Sequence, residues 1–340
     1  MKDIKIKDCV DGKLWDAYVE MHNLSAFCHL YGWRKVIEGI GHKSYYLIAE
    51  ENEKTKGILP LFVIKSKLFG SSLISMPFMD YGGIISDNDK IANRFLEEAQ
   101  KIGQIENVDF LQLHHSYPNK FPLESNLDKV NLKLKLSSEK ELMKGFKSEI
   151  KNRINKAYKS CLHFEVRGAK EVKLFYEVFA IAMRDMGTPV MPLKFFENML
   201  LESNLDTEIF LIKKQKKVIG GAIAIYFKDQ MELPWIACMQ KYFSLCPNNL
   251  LYWEAMKRGL EKSMKDFNFG RSSKDSGHYI FKKRWGASVQ QLFYQYISYN
   301  GKTYDLNPNN PKYKLAVNLW KKLPLSVANY LGPHIARNIP

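Results

Sequence analysis

Asp266-Phe267-Asn268-Phe269-Gly270-Arg271-Ser272-Ser273 is the stretch on which the reading of this chain turns. Phe267 and Phe269 alternate with polar residues, which is the period of a strand with one buried face. Gly270 follows where the strand should end. Glycine there lets the backbone turn sharply and come close to a ligand. An arginine beside the N–H groups of such a turn suits an anionic group. Gly277-His278-Tyr279-Ile280-Phe281-Lys282-Lys283-Arg284-Trp285-Gly286 comes next, a basic and aromatic run. Taken alone, the pattern is equally a polar loop after a core strand, and what precedes it decides.

The strand at 266–269 closes a longer unit. Glu208–Ile212 reads as a strand, Lys213–Lys217 as a charged turn, Val218–Phe227 and Met231–Cys238 as two more strands, and Asn249–Met264 as a helix. The same order occurs earlier. Tyr45–Ala49 and Gly57–Ile64 flank a charged turn at Asn52–Lys56; a strand follows near Ser72–Pro77, a helix over Asp89–Ile105 and a strand at Val108–Leu113. Strands joined by a helical crossover make a mixed sheet with helices packed on it. Two such units predict two similarly folded α/β domains, residues 1–137 and 138–305, with a C-terminal extension at 306–340 and the main pocket at the domain interface.

Ser137-Ser138-Glu139-Lys140-Glu141 marks the join as a helix start, a capping serine followed by acids. Leu142, Phe146, Ile150 and Ile154 then recur at four-residue steps, an apolar stripe beside a lysine-rich face. That face is either solvated or docks on phosphates. A further helix, Lys170–Met186, stops at Gly187-Thr188-Pro189 with Arg184 in its last turn, and a short one covers Leu193–Leu201. The tail from Leu319 is aromatic, basic and punctuated by prolines, which fits a packed extension or a peripheral contact with a membrane surface.

Against 36 acidic residues stand 51 Lys and Arg, a formal charge of +15. Such an excess favours polyanionic partners: tRNA, phospholipid headgroups or phosphate-bearing substrates. No DNA partner is expected. The charged start, Met1-Lys2-Asp3-Ile4-Lys5, does not read as a signal peptide, and no run reaches membrane-spanning length, so a cytoplasmic protein is expected, with the inner face of the membrane as an alternative site. Five scattered cysteines with no CxxC spacing read as reduced thiols. Nothing in the spacing of His, Cys, Asp and Glu suggests a metal.

Several further segments, taken in order, carry a resemblance. They are Phe27–Trp33, Gly57–Leu61, Met76-Pro77-Phe78-Met79-Asp80-Tyr81-Gly82-Gly83, Arg153–Ala157, Arg184 with Gly187-Thr188-Pro189-Val190, Pro247-Asn248-Asn249-Leu250-Leu251-Tyr252-Trp253, the 269–286 block and the 323–333 tail. With them the chain resembles the FemAB-like proteins, a branch of the GNAT superfamily of N-acetyltransferases. It is most similar to those of exopolysaccharide and PEP-CTERM/exosortase clusters. The resemblance implies tandem GNAT-like domains, each a mixed β-sheet flanked by helices. It implies transfer of an acyl or aminoacyl group to an amine or hydroxyl of a cell-envelope glycan or of a lipid-linked or nucleotide-linked precursor. The donor would be aminoacyl-tRNA or acyl-CoA, with no tightly bound cofactor.

Residue chemistry bears on the donor. A GNAT enzyme usually cradles the pyrophosphate of acyl-CoA in a glycine-rich loop that opens a helix. Here the equivalent turn, Tyr242–Asn249, has neither glycine nor arginine, so weak binding of acyl-CoA is expected. Asn248 and Asn249 after Pro247 still form a helix start where a phosphate could sit. Arg271 with Ser272 would clamp an anion, and Lys282 would meet a phosphate or a developing oxyanion. Asp80, Asp275 and His278 are candidate bases. Tyr81, Arg153, Arg184, Thr188 and Trp285 are candidate substrate contacts. Without a Ser-His-Asp or Cys-His arrangement, direct attack on the activated carbonyl is expected. The rival readings are an acyl-CoA-dependent N- or O-acyltransferase acting on a polysaccharide sugar, and a non-catalytic GNAT-like binding module in polysaccharide export.

Overall fold

Two hairpins of matching design organise the chain. The computed structural model describes residues 4–67, 69–301 and 311–339. Its first half comprises β1 (Lys5–Asp8), α1 (Gly12–Met21), α2 (Trp33–Glu38), β2 (Lys43–Glu51), β3 (Lys54–Ser66), β4 (Gly70–Ile74), β5 (Ile85–Ser86), α3 (Asp89–Ile105), β6 (Phe110–His115), β7 (Ser125–Asn126) and β8 (Lys129–Lys135). The second comprises α4 (Glu139–Gly145), α5 (Ser148–Lys159), β9 (Leu162–Arg167), α6 (Val172–Met186), α7 (Leu193–Leu201), β10 (Asp206–Lys214), β11 (Lys217–Phe227), β12 (Gln230–Cys238), α8 (Pro247–Glu261), β13 (Asp266–Ser273) and α9 (Gly277–Arg284). Then follow β14 (Ser288–Gln291), β15 (Phe293–Ser298), α10 (Pro311–Trp320) and α11 (Leu325–Ala336).

Turn chemistry makes the hairpins. Asn52 and Glu53 take positive φ at 51° and 61° between β2 and β3, and Gln215 does so at 54° between β10 and β11. Such left-handed residues match the twist of two-residue hairpin turns. In each unit the third strand then runs antiparallel to the hairpin, a helix crosses over, and the next strand pairs in parallel: β4 with β6, β12 with β13. Helix α3 begins where Asn88 Oδ1 accepts from Ile91 N at 3.0 Å. Its Ile91, Phe95, Ala99 and Ile102 are buried in one cluster with Leu59, Leu61 and Leu111 of the strands. In the second unit Phe175 and Phe179 of α6 and Phe195 and Phe196 of α7 pack with Trp235 of β12 in an aromatic core, with ring centroids 5.1–5.6 Å apart.

The strand orders are β1-β2-β3-β4-β6-β15-β7, with β5 on β3, and β14-β8-β13-β12-β11-β10-β9. By contacts the chain divides into two units. One runs to Val130 and takes back the stretch from Gln290; the other takes Asn131–Val289 and the helices α10 and α11. This differs from a division at 137 and 305 into consecutive pieces. A parallel crossover leaves the outer edge of β6 open, and β15 fills it with six antiparallel pairs, Phe293↔His115 to Ser298↔Phe110. The tail is likewise part of the second unit. Gly332 of α11 lies so close to Val190 that a Cβ would stand 3.1 Å from its backbone nitrogen.

Three local readings change. The expected helix from 138 is two helices, because Lys147 adopts ψ 152° between them. The break lets Phe146 turn into an aromatic cluster, 5.1 Å from Trp285 and 5.8 Å from Trp253. Strand β13 continues through Gly270 to Ser273, and 277–284 is the helix α9.

Candidate functional site

In the second unit the parallel strands stop pairing early. Gln230↔Asp266, Met231↔Phe267 and Glu232↔Asn268 are their three register partners, although β12 runs on to Cys238 and β13 to Ser273. A register shift between Ile223 and Ile225, where Pro234 lies on the opposite strand, marks the point where β12 bends. The last pair is locked: Asn268 Nδ2 donates to Glu232 Oε2 at 2.6 Å, and Asn268 Oδ1 accepts from Gly270 N at 2.9 Å. Gly270 has φ 73°, a conformation that disfavours any side chain there.

Past that lock the strand edges form a wedge that α8 and α9 border. Phe267 and Phe269 stack against Tyr252 of α8 at 6.1 and 5.1 Å. Helix α9 starts where Ser276 Oγ accepts from Tyr279 N at 3.2 Å. It sends Lys282 inward, only 7% exposed, where Nζ donates to Gly270 O at 3.0 Å and Arg271 O at 2.8 Å. Lys282 therefore ties α9 to the free edge of β13 with charge-assisted bonds.

Four buried side chains on this framework hold polar atoms with no hydrogen-bond partner within the protein: both amide atoms of Asn131 in β8, Nδ2 of Asn249 in α8, Oγ of Ser272 in β13 and Nε1 of Trp285 after α9. Each orphaned group costs about 1–3 kcal/mol. The first unit has such atoms too, in His42, Tyr46, His114 and His115; what distinguishes the wedge is that its orphaned groups lie beside the start of a helix. That helix is α8. It has Pro247 at its start, Cys246 before it in the left-handed region at φ 60°, and no side-chain cap. Its first N–H groups and its dipole favour an anion, and the Asn249 amide, 2% exposed, sits in that first turn.

The other expected residues fall in distinct places. Arg271 is exposed beside Lys282. Asp275 is an exposed turn residue with φ 62° that leads into the start of α9. His278 sits at the surface, and partial desolvation, aided by the Lys282 ammonium, holds its imidazole below the ordinary value. Trp285, expected at the substrate, is 1% exposed within the aromatic cluster; only its indole N–H remains unsatisfied. Arg153 lies on the outer face of α5, paired with Glu149 at 2.8 Å. Thr188 is exposed and its N–H closes the end of α6 on Met183 O at 2.9 Å. Asp80 and Tyr81 belong to the first unit, where Asp80 O accepts from Tyr294 Oη at 2.5 Å and Tyr81 is 3% exposed.

Arg184 takes part in a second feature of this unit, a cavity of about 480 Å³ between α6 and the β10–β11 turn. Arg184, Lys216, Lys217 and Lys241 line it against Glu177 and Asp185. Arg184 is held in place by Asp185 at 2.8 Å and Leu323 O at 2.9 Å. Among the described residues, no group of His, Cys, Asp and Glu is placed to hold a metal ion. The readings from sequence overlooked Asn131, Glu232 and Asn268. A lone asparagine within Val130-Asn131-Leu132 and another between two phenylalanines were the available signals.

A family model for the acetyltransferase (GNAT) domain matches residues 144–283, which include Asn249, Ser272 and Lys282 of the wedge. No curated protein matches the chain. Among solved structures, the crystal structure of FemX is similar over 92% of this chain and 100% of its own, with a TM-score of 0.66 and 17% identity. L-PGS from Bacillus licheniformis is similar over 94% and 100%, at TM-score 0.55 and 10% identity. A tandem GNAT protein from the clavulanic acid biosynthesis pathway is similar over 88% and 100%, at TM-score 0.54 and 8% identity. The chain thus carries a GNAT acetyltransferase domain at residues 144–283, in a fold of two tandem GNAT-like domains.

Proposed function

We propose that the protein is a cytoplasmic, FemAB-like acyl- or aminoacyltransferase that acts on an amine or hydroxyl of a cell-envelope glycan or its lipid-linked or nucleotide-linked precursor. The observation that carries this reading is the wedge of the second unit, with orphaned polar groups beside the uncapped start of α8. Asn248 and Asn249 would hold a donor phosphate there. Arg271 would clamp an anionic group of the substrate, and its planar fork suits a carboxylate or phosphate.

Direct attack needs mainly positioning and charge stabilisation. The attacking nitrogen or oxygen forms a bond to the acyl carbon, the carbonyl oxygen becomes an oxyanion, and collapse expels the donor's thiolate or tRNA hydroxyl. His278, kept neutral by desolvation and by Lys282, suits acceptance of the nucleophile's proton. Lys282 positions the strand edge through Gly270 O and Arg271 O.

The donor divides the readings. The GNAT domain favours acyl-CoA; the lack of glycine in the turn before α8 favours aminoacyl-tRNA. Titration calorimetry with acetyl-CoA and turnover assays with aminoacyl-tRNA separate them. Micromolar binding of acetyl-CoA competed by free CoA would move the assignment to a CoA-dependent N- or O-acyltransferase. Binding of an envelope glycan with neither donor turned over would leave a non-catalytic module.

A further inference from the structure

The last two helices carry a surface that the transfer reaction does not use. Between Pro311 and Pro340 there is no Asp or Glu, while Lys312, Lys314, Lys321, Lys322 and Arg337 are basic. Helix α11 turns its small residues inward: Ala328, Gly332 and Ala336, four apart, are buried. At 100° per residue the opposite face then holds Val327, Tyr330 and Leu331. These are 39%, 72% and 38% exposed. Helix α10 adds Leu315 and Leu319, four apart, at 67% and 57%. Lys321 and Lys322 are exposed in the connection between the two helices. Among the described residues Lys314, Lys321 and Lys322 form no ion pair.

We propose that α10 and α11 are the face by which this protein docks on an anionic lipid bilayer. Contiguous exposed aliphatic and tyrosine side chains mark an interaction site. Leucine, valine and tyrosine bordered by lysines, with no acid among them, match the boundary between acyl chains and negative headgroups. Both helices are too short to span a bilayer, and no described helix is long and apolar enough to do so. Such a face lies in the interface plane. A second copy of the chain is the poorer occupant, because a two-fold pairing would set two all-basic faces against each other. Nucleic acid would use the lysines and leave the leucines and tyrosine idle.

Co-sedimentation of the full chain with vesicles of phosphatidylcholine, and with vesicles that also contain phosphatidylglycerol, tests this. Binding is expected to the mixed vesicles only and to fall steeply with salt. Lys321→Glu with Lys322→Glu should weaken it by at least about tenfold, and Leu319→Asp with Tyr330→Asp should do so at unchanged melting temperature. If the aspartate pair fails to fold, Leu315→Ser and Tyr330→Ser replace it. Equal binding to both vesicle types, or unchanged binding in the lysine or apolar variants, would overturn the proposal. So would a dimer seen by light scattering that the same substitutions dissolve, or RNA binding that needs the lysines alone.

Discussion

The two units share a plan and differ in how they treat the same gap. In each, parallel strands pair three times and then diverge. In the first unit the chain fills the gap itself. Ser75 N donates to Gln112 O at 3.0 Å, His114 N to Ser75 Oγ at 2.9 Å, and Gly82 N to His114 O at 3.1 Å. Ile84 N donates to His115 Nε2 at 3.2 Å, and His29 Nε2 lies 3.1 Å from Gly83 O. In the second unit the gap is bordered by unsatisfied asparagine, serine and tryptophan groups and spanned by Lys282. The first gap is crossed by backbone and histidine bonds and leaves His114 Nδ1 and Nε2 and His115 Nδ1 unsatisfied, whereas the second is crossed by a lysine and leaves its orphaned groups beside the start of α8. The shared geometry is the strand divergence; what crosses the gap differs, backbone and histidine in the first unit and a lysine in the second.

That contrast can be broken by experiment. The largest effect should come from Lys282→Ala, which removes a buried ammonium and its bonds to Gly270 O and Arg271 O. About 3 kcal/mol of stability should be lost, seen as a lowered midpoint in urea. Its burial and its bonds to two backbone carbonyls give it a structural part beside the expected contact with a phosphate or oxyanion. If the midpoint is unchanged, Lys282 is not the clasp of the second unit.

Next comes the closed gap. In Gly83→Ala the new methyl would stand 2.5 Å from the His115 ring and 2.8 Å from His114 O. A loss of about 2 kcal/mol is expected, with no change in donor or glycan affinity. Altered affinity would place the first unit's gap in the function after all.

Acid should act on the same unit. Burial, with His29 nearby, pushes the His115 imidazole down to about 3 from 6.5. The folded state therefore binds this proton less readily than the unfolded state does. The stability associated with neutral His115 is complete above pH 6.5 and is lost as pH falls toward 3, at about 1 kcal/mol per unit. His115→Gln should flatten that slope in thermal unfolding measured between pH 7 and pH 4; an unchanged slope would remove His115 from the account.

The smallest stability effects belong to the open gap. Arg271→Ala changes an exposed residue, and Asn249→Ala deletes an amide whose Nδ2 has no partner. Each should shift stability by no more than about 0.5 kcal/mol, while affinity for the anionic donor or substrate drops roughly tenfold. Arg271→Lys should also be poorly tolerated, since a point charge does not replace a planar fork. Calorimetry beside thermal melts reads both quantities, and retained affinity in both alanine variants would dissolve the site.

What local chemistry encodes could be read directly from the residues. The hairpins around Asn52–Glu53 and Gln215, the helix at Asp89–Ile105 and the repeat of strand, strand, strand, helix and strand follow from turn residues and from periods of 2 and 3.6. Gly270 was legible as a special backbone position for the same reason. The candidate site was legible as a neighbourhood with expected roles for Asn249, Arg271, Ser272 and Lys282, but not in which of them would be buried or left with unsatisfied atoms.

Tertiary structure decided the rest, because the deciding contacts join residues far apart in sequence. Nothing local assigns Phe293–Ser298 to the edge of β6, more than 170 residues earlier. A lysine near the end of a basic run gives no sign that it will be the one turned inward, since that follows from its bonds to Gly270 O and Arg271 O on a distant strand. Burial without a partner, which singles out Asn131 and Asn249, is a property of the packed surroundings and has no signature in the residue itself. Sequence by itself determined two α/β units and a basic chain; packing determined which groups cross each of the two gaps.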